Sequence, residues 1–392
     1  MFAALRSFYV SDDRNYSYAG VRGFGRPTDY NNRILLLIDG HCFNENFYGS
    51  ASIGTELALA LNEVERIEIV RGPGSALYGT GAMLAVVNVV TKSGKTADGL
   101  MIAAEAGSFG NRRGELGFGR EFASGADLAV SGMWLDSDGP DLFYPEYDDP
   151  ATNGGRVSSL DWDRARGGYV RFSFAGLTLQ GFHSSREKGI PTGAFGIAFG
   201  DARAKTLDEQ SFVDLKYEYL LPHHQSLNLR GYFNHYRYRG TYPYDREDYH
   251  TLSFDANDGQ WLGGEAQFTW DLRSDNRLLA GTEYQRHLQA RYRTWDLEGG
   301  IFDEDFPFTT LSFYLQDEYQ VTRDLSLTVG WRRDRYAMAK SSASPRGALI
   351  YKPWPSSTLK LLYGEAFRAP NMYEIHYEAP NEAKGNLHLD PE

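Results

Sequence analysis

The 392-residue chain has a single cysteine, Cys42, which excludes an internal disulfide and any multi-cysteine zinc or iron–sulfur site. It has no run of about 18 apolar residues, so a transmembrane helix is excluded; its apolar stretches are short ones such as Ile34–Ile38 and Ala82–Val87. Net positive charge is also lacking. Lys and Arg total 40 against 52 Asp and Glu, a balance of −12. Phosphate binding needs a basic surface, so nucleic acid is not an expected partner. The opening residues, MFAALRSFYVSDD, have neither the basic nor the continuous apolar region of a signal peptide. These absences do not touch one class of membrane protein. The strands of a transmembrane barrel alternate polar and apolar residues and average to a polar chain, and the mean hydropathy here is −0.48.

The chain is rich in tyrosine (26), phenylalanine (23) and glycine (42). Aromatic and β-branched residues suit pleated surfaces, so the composition leans towards β structure. Up to residue 97 short apolar runs mix with glycine turns. Arg33–Asp39 predicts a buried strand ending at the turn Asp39-Gly40, and Arg66–Val70 and Ala85–Thr91 predict two more. Thr55–Glu65 predicts a short helix from the spacing of Leu57, Leu59, Ala60, Leu61 and Val64. Together these make a small α/β module.

Beyond residue 97 the pattern becomes strict alternation. Val213, Leu215, Tyr217 and Tyr219 oppose Phe212, Asp214, Lys216 and Glu218, and Leu327, Val329 and Trp331 oppose Thr328, Gly330 and Arg332. About thirteen such runs occur, at 99–107, 112–122, 126–135, 166–175, 176–185, 207–220, 226–238, 260–271, 277–291, 308–320, 324–337, 344–352 and 357–367. Tight turns such as Ala175-Gly176 and Thr322-Arg323 alternate with long connections at Asp136–Arg164, Arg186–Lys205, Arg239–Gly259 and Tyr292–Phe306. One lipid-facing side, one polar lumen and loops sorted by parity predict a transmembrane antiparallel β-barrel. Thirteen is odd, and single-chain bacterial barrels close with an even number, so the barrel is expected to be incomplete in this sequence.

The residues then carry a resemblance. Val21-Arg22-Gly23-Phe24, Leu37-Ile38-Asp39-Gly40, Val64–Gly79 (VERIEIVRGPGSALYG) and Asn88–Lys92 (NVVTK), in that order and spacing, resemble the plug domain of TonB-dependent outer-membrane transporters. Tyr363–Pro370 (YGEAFRAP), with Gly385-Asn386 and Pro391-Glu392, is similar to the family's late-barrel signature. The resemblance implies a mostly-β fold, with an α/β plug at 1–97 in the lumen of a barrel at 98–392. Family barrels have about 22 strands. The signal peptide, the TonB-contacting segment and about nine strands would then lie outside this sequence, so plug and barrel are both expected to be truncated. The implied function is receptor-mediated uptake of a scarce nutrient across the outer membrane, energised through TonB and its inner-membrane complex. A ferric siderophore is the first expectation for the cargo, and cobalamin the alternative. A passive porin-like barrel and a non-transporting remnant are the competing readings. No catalytic residue, cofactor or metal ligand is expected.

By the same resemblance, plug arginines Arg22 and Arg71 pair with inward barrel carboxylates, Glu365 first and Glu318 second, and so seat the plug. Gly23, Gly72, Pro73 and Gly79 set backbone shape. Outward plug loops supply the ligand contacts Arg26, Asp29, Tyr30, Phe47 and Tyr48, and aromatics with an arginine suit an anionic aromatic chelate. Tyr242, Tyr244 and Tyr249 fall in a long loop and are candidates for an outer vestibule. Asp136, Asp138 and Asp141, like Asp255, Asn257 and Asp258, have loosely calcium-like spacing without the glutamate at position twelve of an EF-hand.

Overall fold

The computed structural model describes residues 7–26, 29–246, 249–379 and 383–392. The chain opens with a hairpin, β1 (Phe8–Asp12) and β2 (Ser17–Val21), absent from the sequence reading. A four-stranded sheet follows, made of β3 (Ile34–Ile38), β4 (His41–Cys42), β5 (Val64–Arg71) and β6 (Ala85–Thr91) in the order β4-β3-β6-β5. The β3–β6 pair is parallel and β5–β6 antiparallel. Both faces of β3 are buried, as its unbroken run of Ile and Leu requires. It ends where expected: Asp39 and Gly40 have φ of +46° and +78°, and Asp39 accepts from Thr91 N (2.9 Å) and Thr91 Oγ1 (2.6 Å). Helices α1 (Ser75–Tyr78) and α2 (Gly94–Ala97) complete the module.

The expected helix at Thr55–Glu65 does not form. Two single 3₁₀ turns, Thr55–Leu57 and Leu61–Glu63, stand in its place, separated by Ala58 at φ +41°. The surrounding sheet overrides the local pattern. Glu115 accepts from the backbone N–H groups of Leu61 and Asn62, both at 3.1 Å, and Leu57 and Leu59 enter the common core. The spacing of apolar residues was that of a helix, but the hydrogen bonds are made to another element.

The large sheet comprises β7 (Gly99–Ala106), β8 (Arg112–Glu121), β9 (Asp127–Ser137), β12 (Asp163–Phe174), β13 (Leu177–Gly189), β14 (Lys205–Leu221), β15 (Gln225–Arg246), β16 (Tyr249–Arg273), β17 (Asn276–Trp295), β19 (Phe308–Thr322), β20 (Leu325–Tyr336), β21 (Ser342–Trp354) and β22 (Ser357–Gly364). Each is antiparallel to the next, from β7 at one edge to β22 at the other. The short pair β10 (Leu142–Phe143) and β11 (Arg156–Val157) lies in the connection before β12, and β18 (Gly300–Asp305) folds back onto β17. After β22 come α3 (Met372–His376) and the short pair β23 (Glu378–Ala379) and β24 (Ala383–Lys384). The thirteen expected strands are all present. Two expected loops are not. Most of Tyr292–Phe306 is the paired end of β17 and β18. In Arg239–Gly259, residues 239–246 and 249–259 are paired strand, with Arg246 opposite Tyr249. Its Asp, Gly and Tyr content read as loop, but cross-strand ion pairs support the ladder: Asp258 bonds Arg239 at 2.7 Å and Arg293 at 2.9 Å.

The two faces of the sheet are inverted relative to a water-soluble protein. Outward residues are apolar and exposed, among them Val130, Trp134, Val213, Leu215, Phe313, Val329 and Trp331. Inward residues are polar and buried, among them Gln180, Arg186, Asp214, Asn234, Ser312, Arg332 and Asp334. That is the arrangement of a sheet that crosses a bilayer. The plug core continues into it: Ile34, Leu36, Ile38, Val87 and Phe43 share one cluster with Tyr169, Phe182 and Phe212 of the large sheet.

Contact is closest at Gly167, on the inner face of β12, where a Cβ would run into the Ala58 carbonyl. Gly168, on the opposite face, meets nothing nearer than the Ser131 carbonyl at 3.6 Å. Gly167→Ala should therefore destabilise the folded chain by about 1–3 kcal/mol, and Gly168→Ala by much less. Urea unfolding of the two variants in detergent measures this; equal midpoints would contradict the close approach.

Candidate functional site

Plug and sheet meet through buried polar contacts. In several of them the sheet supplies the charge and the plug supplies backbone. Lys216 donates to the Asp39 carbonyl at 2.6 Å, Arg186 to the Asn15 carbonyl at 2.7 Å and Arg332 to the Leu77 carbonyl at 3.3 Å. Sheet carboxylates take the plug N–H groups: Glu115 at Leu61 and Asn62, and Asp127 at Gly94 and Lys95 (2.7 and 2.8 Å), the start of α2. Carbonyls at a helix end favour a cation and N–H groups at a helix start favour an anion, so even these one-turn helices orient their partners. Two plug arginines do form ion pairs outwards, Arg14 with Asp161 at 3.3 Å and Arg33 with Glu392 at 2.6 Å.

Arg22 and Arg71 are exposed. The Arg22 guanidinium lies 4.0 Å from where a Cβ on Gly72 would be, so the two plug motifs are neighbours. Glu365 is exposed and accepts from the Tyr363 hydroxyl; Glu318 is exposed and accepts from Gln316 at 2.8 Å. Gly23, Gly72 and Gly79 have φ of +85°, +100° and +80°, where a side chain would be strained. Gly79 has a second constraint, since a Cβ there would sit 3.0 Å from the Arg332 guanidinium. Pro73 packs on Gly364 at the end of β22. The FRAP segment after it crosses α1: Phe367 N donates to Ser75 Oγ (3.1 Å) and Ala369 N to Thr80 Oγ1 (2.8 Å).

The most buried of these contacts centres on His41 of β4, which is 1% exposed. Arg230 grips Asp214 with two bonds, Nε to Oδ1 at 3.0 Å and Nη2 to Oδ2 at 2.8 Å. Its Nη2 also lies 2.9 Å from His41 Nδ1, while His41 Nε2 lies 2.8 Å from Asn234 Oδ1. Nδ1 also faces Asp214 Oδ2 at 3.2 Å, but the shorter contact is to Arg230, which only donates, so Nδ1 accepts and Nε2 carries the proton to Asn234. The ring stacks on Phe212 at 3.9 Å. Burial holds the imidazole below its ordinary value, with Asp214 pulling the other way. Sequence reading missed His41, Arg230 and Asn234 as site residues. They lie on two strands far apart in sequence, β4 and β15, and only the inward alternation of Asp214 gave a hint.

The second feature is a cavity of about 660 Å³ where the plug loops meet the ends of the sheet. It is lined by ten tyrosines: 16, 30 and 48 from the plug, 236, 238, 242, 244 and 292 from the sheet, and 373 and 377 from in and beside α3. Four of the expected ligand residues, Arg26, Asp29, Tyr30 and Tyr48, line it together. The fifth does not. Phe47 is fully buried and stacks on Tyr292 at 5.0 Å, beneath Tyr48. Tyr242 and Tyr244 also line the cavity, whereas the side chain of Tyr249 lies outside the described residues. The rings touch: Tyr16–Tyr30 at 5.7 Å, Tyr30–Tyr48 at 5.5 Å, Tyr48–Tyr373 at 5.1 Å and Tyr373–Tyr377 at 4.5 Å.

One carboxylate shapes the loop that presents Tyr48. Glu45 is 3% exposed and accepts from Phe47 N (2.6 Å), Tyr48 N (2.9 Å), Ser50 N (2.9 Å) and Ser50 Oγ (2.8 Å). Burial still holds it above the ordinary carboxylate range. On the other side Asn31, at φ +60°, donates to the Ser17 and Ala51 carbonyls at 3.0 and 3.1 Å, which fixes the turn beside Tyr30.

The family description "TonB-dependent Receptor Plug Domain" matches residues 5–86, and "TonB dependent receptor-like, beta-barrel" matches residues 133–392. The chain belongs to the TonB-dependent receptor family. It is 26% identical over 392 residues to the vitamin B12 transporter BtuB of Vibrio cholerae, covering 92% of this chain and 54% of that protein. It is 32% identical over 161 residues to the ferric enterobactin receptor of Pseudomonas aeruginosa, covering 38% of this chain and 19% of that protein. Among solved structures, the siderophore receptor PirA of Acinetobacter baumannii superimposes with a TM-score of 0.68 at 17% identity, over 98% of this chain and 62% of PirA. The chain thus spans little more than half the length of the BtuB relative.

The neutral, buried His41 makes a pH prediction. Its folded pKa lies below the unfolded value, so its contribution is complete above about pH 6.5 and is lost as pH falls below that. The loss has a limiting slope of about 1.4 kcal/mol per pH unit. Urea unfolding at pH 7.5 and 5.5 should show a drop in the wild type that is smaller by about 1 kcal/mol in His41→Gln. Identical pH dependence in the two proteins would contradict a neutral His41.

Proposed function

We propose that this chain is the plug and part of the barrel of an outer-membrane receptor for TonB-energised uptake of a metal chelate, a ferric siderophore first and a corrinoid second. The observation that carries the reading is the tyrosine-lined cavity at the junction of plug and sheet. Its volume lies in the usual range of small-molecule sites. Tyrosine offers a large apolar face and a hydroxyl at low entropy cost, which suits an organic chelate with mixed polarity. The family membership and the printed functions of the relatives, vitamin B12 transport and ferric enterobactin reception, support the same class.

In this reading the division falls between Ala97 and Asp98, with lipid against the outward apolar residues and the plug closing the lumen. Tyr30 and Tyr48 contact the chelate, Arg26 and Asp29 flank it, and Phe47 acts from below by holding Tyr48 in place. The work of moving the plug comes from TonB and the inner-membrane complex. The contacts that resist it are those of Asp214, Arg230, Lys216 and Arg332. No step calls for bond making or breaking, so the receptor acts by binding and displacement.

Expression in a Gram-negative host lacking its own siderophore receptors tests the reading. Produced behind a secretory leader, the chain should fractionate with the outer membrane and confer saturable binding of a radiolabelled ferric chelate. Tyr48→Ala combined with Tyr373→Ala should weaken that binding about tenfold or more. Recovery in the soluble fraction, or binding indifferent to both substitutions, would contradict it.

A further inference from the structure

The two faces of β3 meet different surroundings. Ile34, Leu36 and Ile38 pack into the core shared with Tyr169, Phe182 and Phe212 of β12, β13 and β14. Leu35 and Leu37, on the alternate face, line a cavity of about 350 Å³ between the plug and strands β15, β16, β17, β19 and β20. The plug is thus packed against the sheet on one face and hollow on the other.

This middle cavity does not stand alone. It shares Asn32, Tyr48 and Asn371 with the tyrosine-lined cavity at the long-connection end of the sheet. It shares Arg230 and Glu265 with a third cavity, of about 580 Å³, that reaches the tight turn Ala175-Gly176 at the opposite end. Three cavities therefore follow one another along the plug from one rim of the sheet to the other, and the shared side chains are the partitions. In the upper partition Asn371 donates to the Tyr48 carbonyl at 3.1 Å, and the Tyr48 ring lies 5.1 Å from that of Tyr373. The lower partition is loose. Arg230 stands 3.8 Å from Glu265, while its short bonds go to Asp214.

The lining of the middle cavity calls for a polar occupant. Asn234, His287 and Asp334 are 1%, 6% and 1% exposed. Each leaves one polar atom, Nδ2, Nδ1 and Oδ2 in turn, without a hydrogen-bond partner among the described residues, and Asn46 Oδ1 is a fourth. All four residues line this cavity. Buried polar atoms are nearly always paired, and the space far exceeds the roughly 10–15 Å³ that admits one water.

Resting on the receptor reading, we propose that the three cavities form a passage for polar, hydrogen-bonding solutes beside the plug, closed above by Tyr48 and below by Arg230 and Glu265. Cargo released from the tyrosines crosses along the face of Leu35 and Leu37. Opening it requires movement of the loop that carries Tyr48 and of one loose ion pair, while the core on the other face of β3 stays packed.

Cys42, the single cysteine of the chain, lines the middle cavity and reports on access to it. The test uses the full chain in lipid vesicles and a small charged thiol reagent, 2-(trimethylammonio)ethyl methanethiosulfonate. Modification of Cys42 should be slow in the wild type and faster by about tenfold or more in Tyr48→Ala and in Glu265→Ala, since thiol reactivity follows access. A maleimide carried on a long polyethylene glycol chain should stay excluded from all three proteins. Glu265→Gln, which removes the charge alone, should also quicken modification and keeps the test sound if Glu265→Ala folds poorly. A rise shared by the polymer reagent would overturn the passage, because the plug would then have left its seat. Unchanged rates in a chain that still binds a ferric chelate would overturn the passage and leave the receptor reading standing. Faster modification in these variants of a chain that binds no ferric chelate would uphold the passage and overturn the receptor reading.

Discussion

The inner face of the large sheet is polar, and most of it is shut away from bulk water. Asp214, Asp334, Arg186 and Arg332 are all buried, and a charge in that setting must be paired or it is expensive. The sheet settles part of this within itself, through Arg230–Asp214 and Arg332–Asp334. The remainder is settled by the plug, whose backbone offers carbonyls to Lys216, Arg186 and Arg332 and N–H groups to Glu115 and Asp127. Plug and sheet are therefore one electrostatic unit. Backbone partners also give a hold that is specific in geometry without a second buried charge on the plug side.

This explains which parts were legible in the sequence. The thirteen strands were, because period-two alternation is dictated by lipid on one side and the lumen on the other. So were β3, β6 and the Asp39-Gly40 turn, where a short apolar run meets turn chemistry. The region 55–65 was not, because its N–H groups are claimed by Glu115 from a strand some fifty residues away, and no local window contains that fact. The tip of β15 and β16 misled for a related reason. Its Asp and Gly residues are turn formers by composition, but Asp258 is held by Arg239 and Arg293 across two strand pairs.

The site was half legible. Arg26, Asp29, Tyr30 and Tyr48 were found as the side chains of two plug loops, and they do share a cavity. Phe47 was placed with them by adjacency, yet consecutive residues in an irregular loop need not face one way, and it packs downwards on Tyr292. The role of Glu45 is invisible without the fold, since it works by collecting four donors from the five residues after it. The tyrosines contributed by the sheet and α3 could be counted but not assembled, because strand length and register decide which of them reach the same level.

The family membership is set by both the plug and the barrel matches, and the plug is seated in the sheet as part of its polar interior. Amide hydrogen exchange on the membrane-embedded chain tests this most directly. Peptides covering Ile34–Ile38 and Ala85–Thr91 should be protected to the same order as those of β14 and β15, which hold His41. Exchange of the plug peptides within seconds, while the large sheet stays protected, would contradict it.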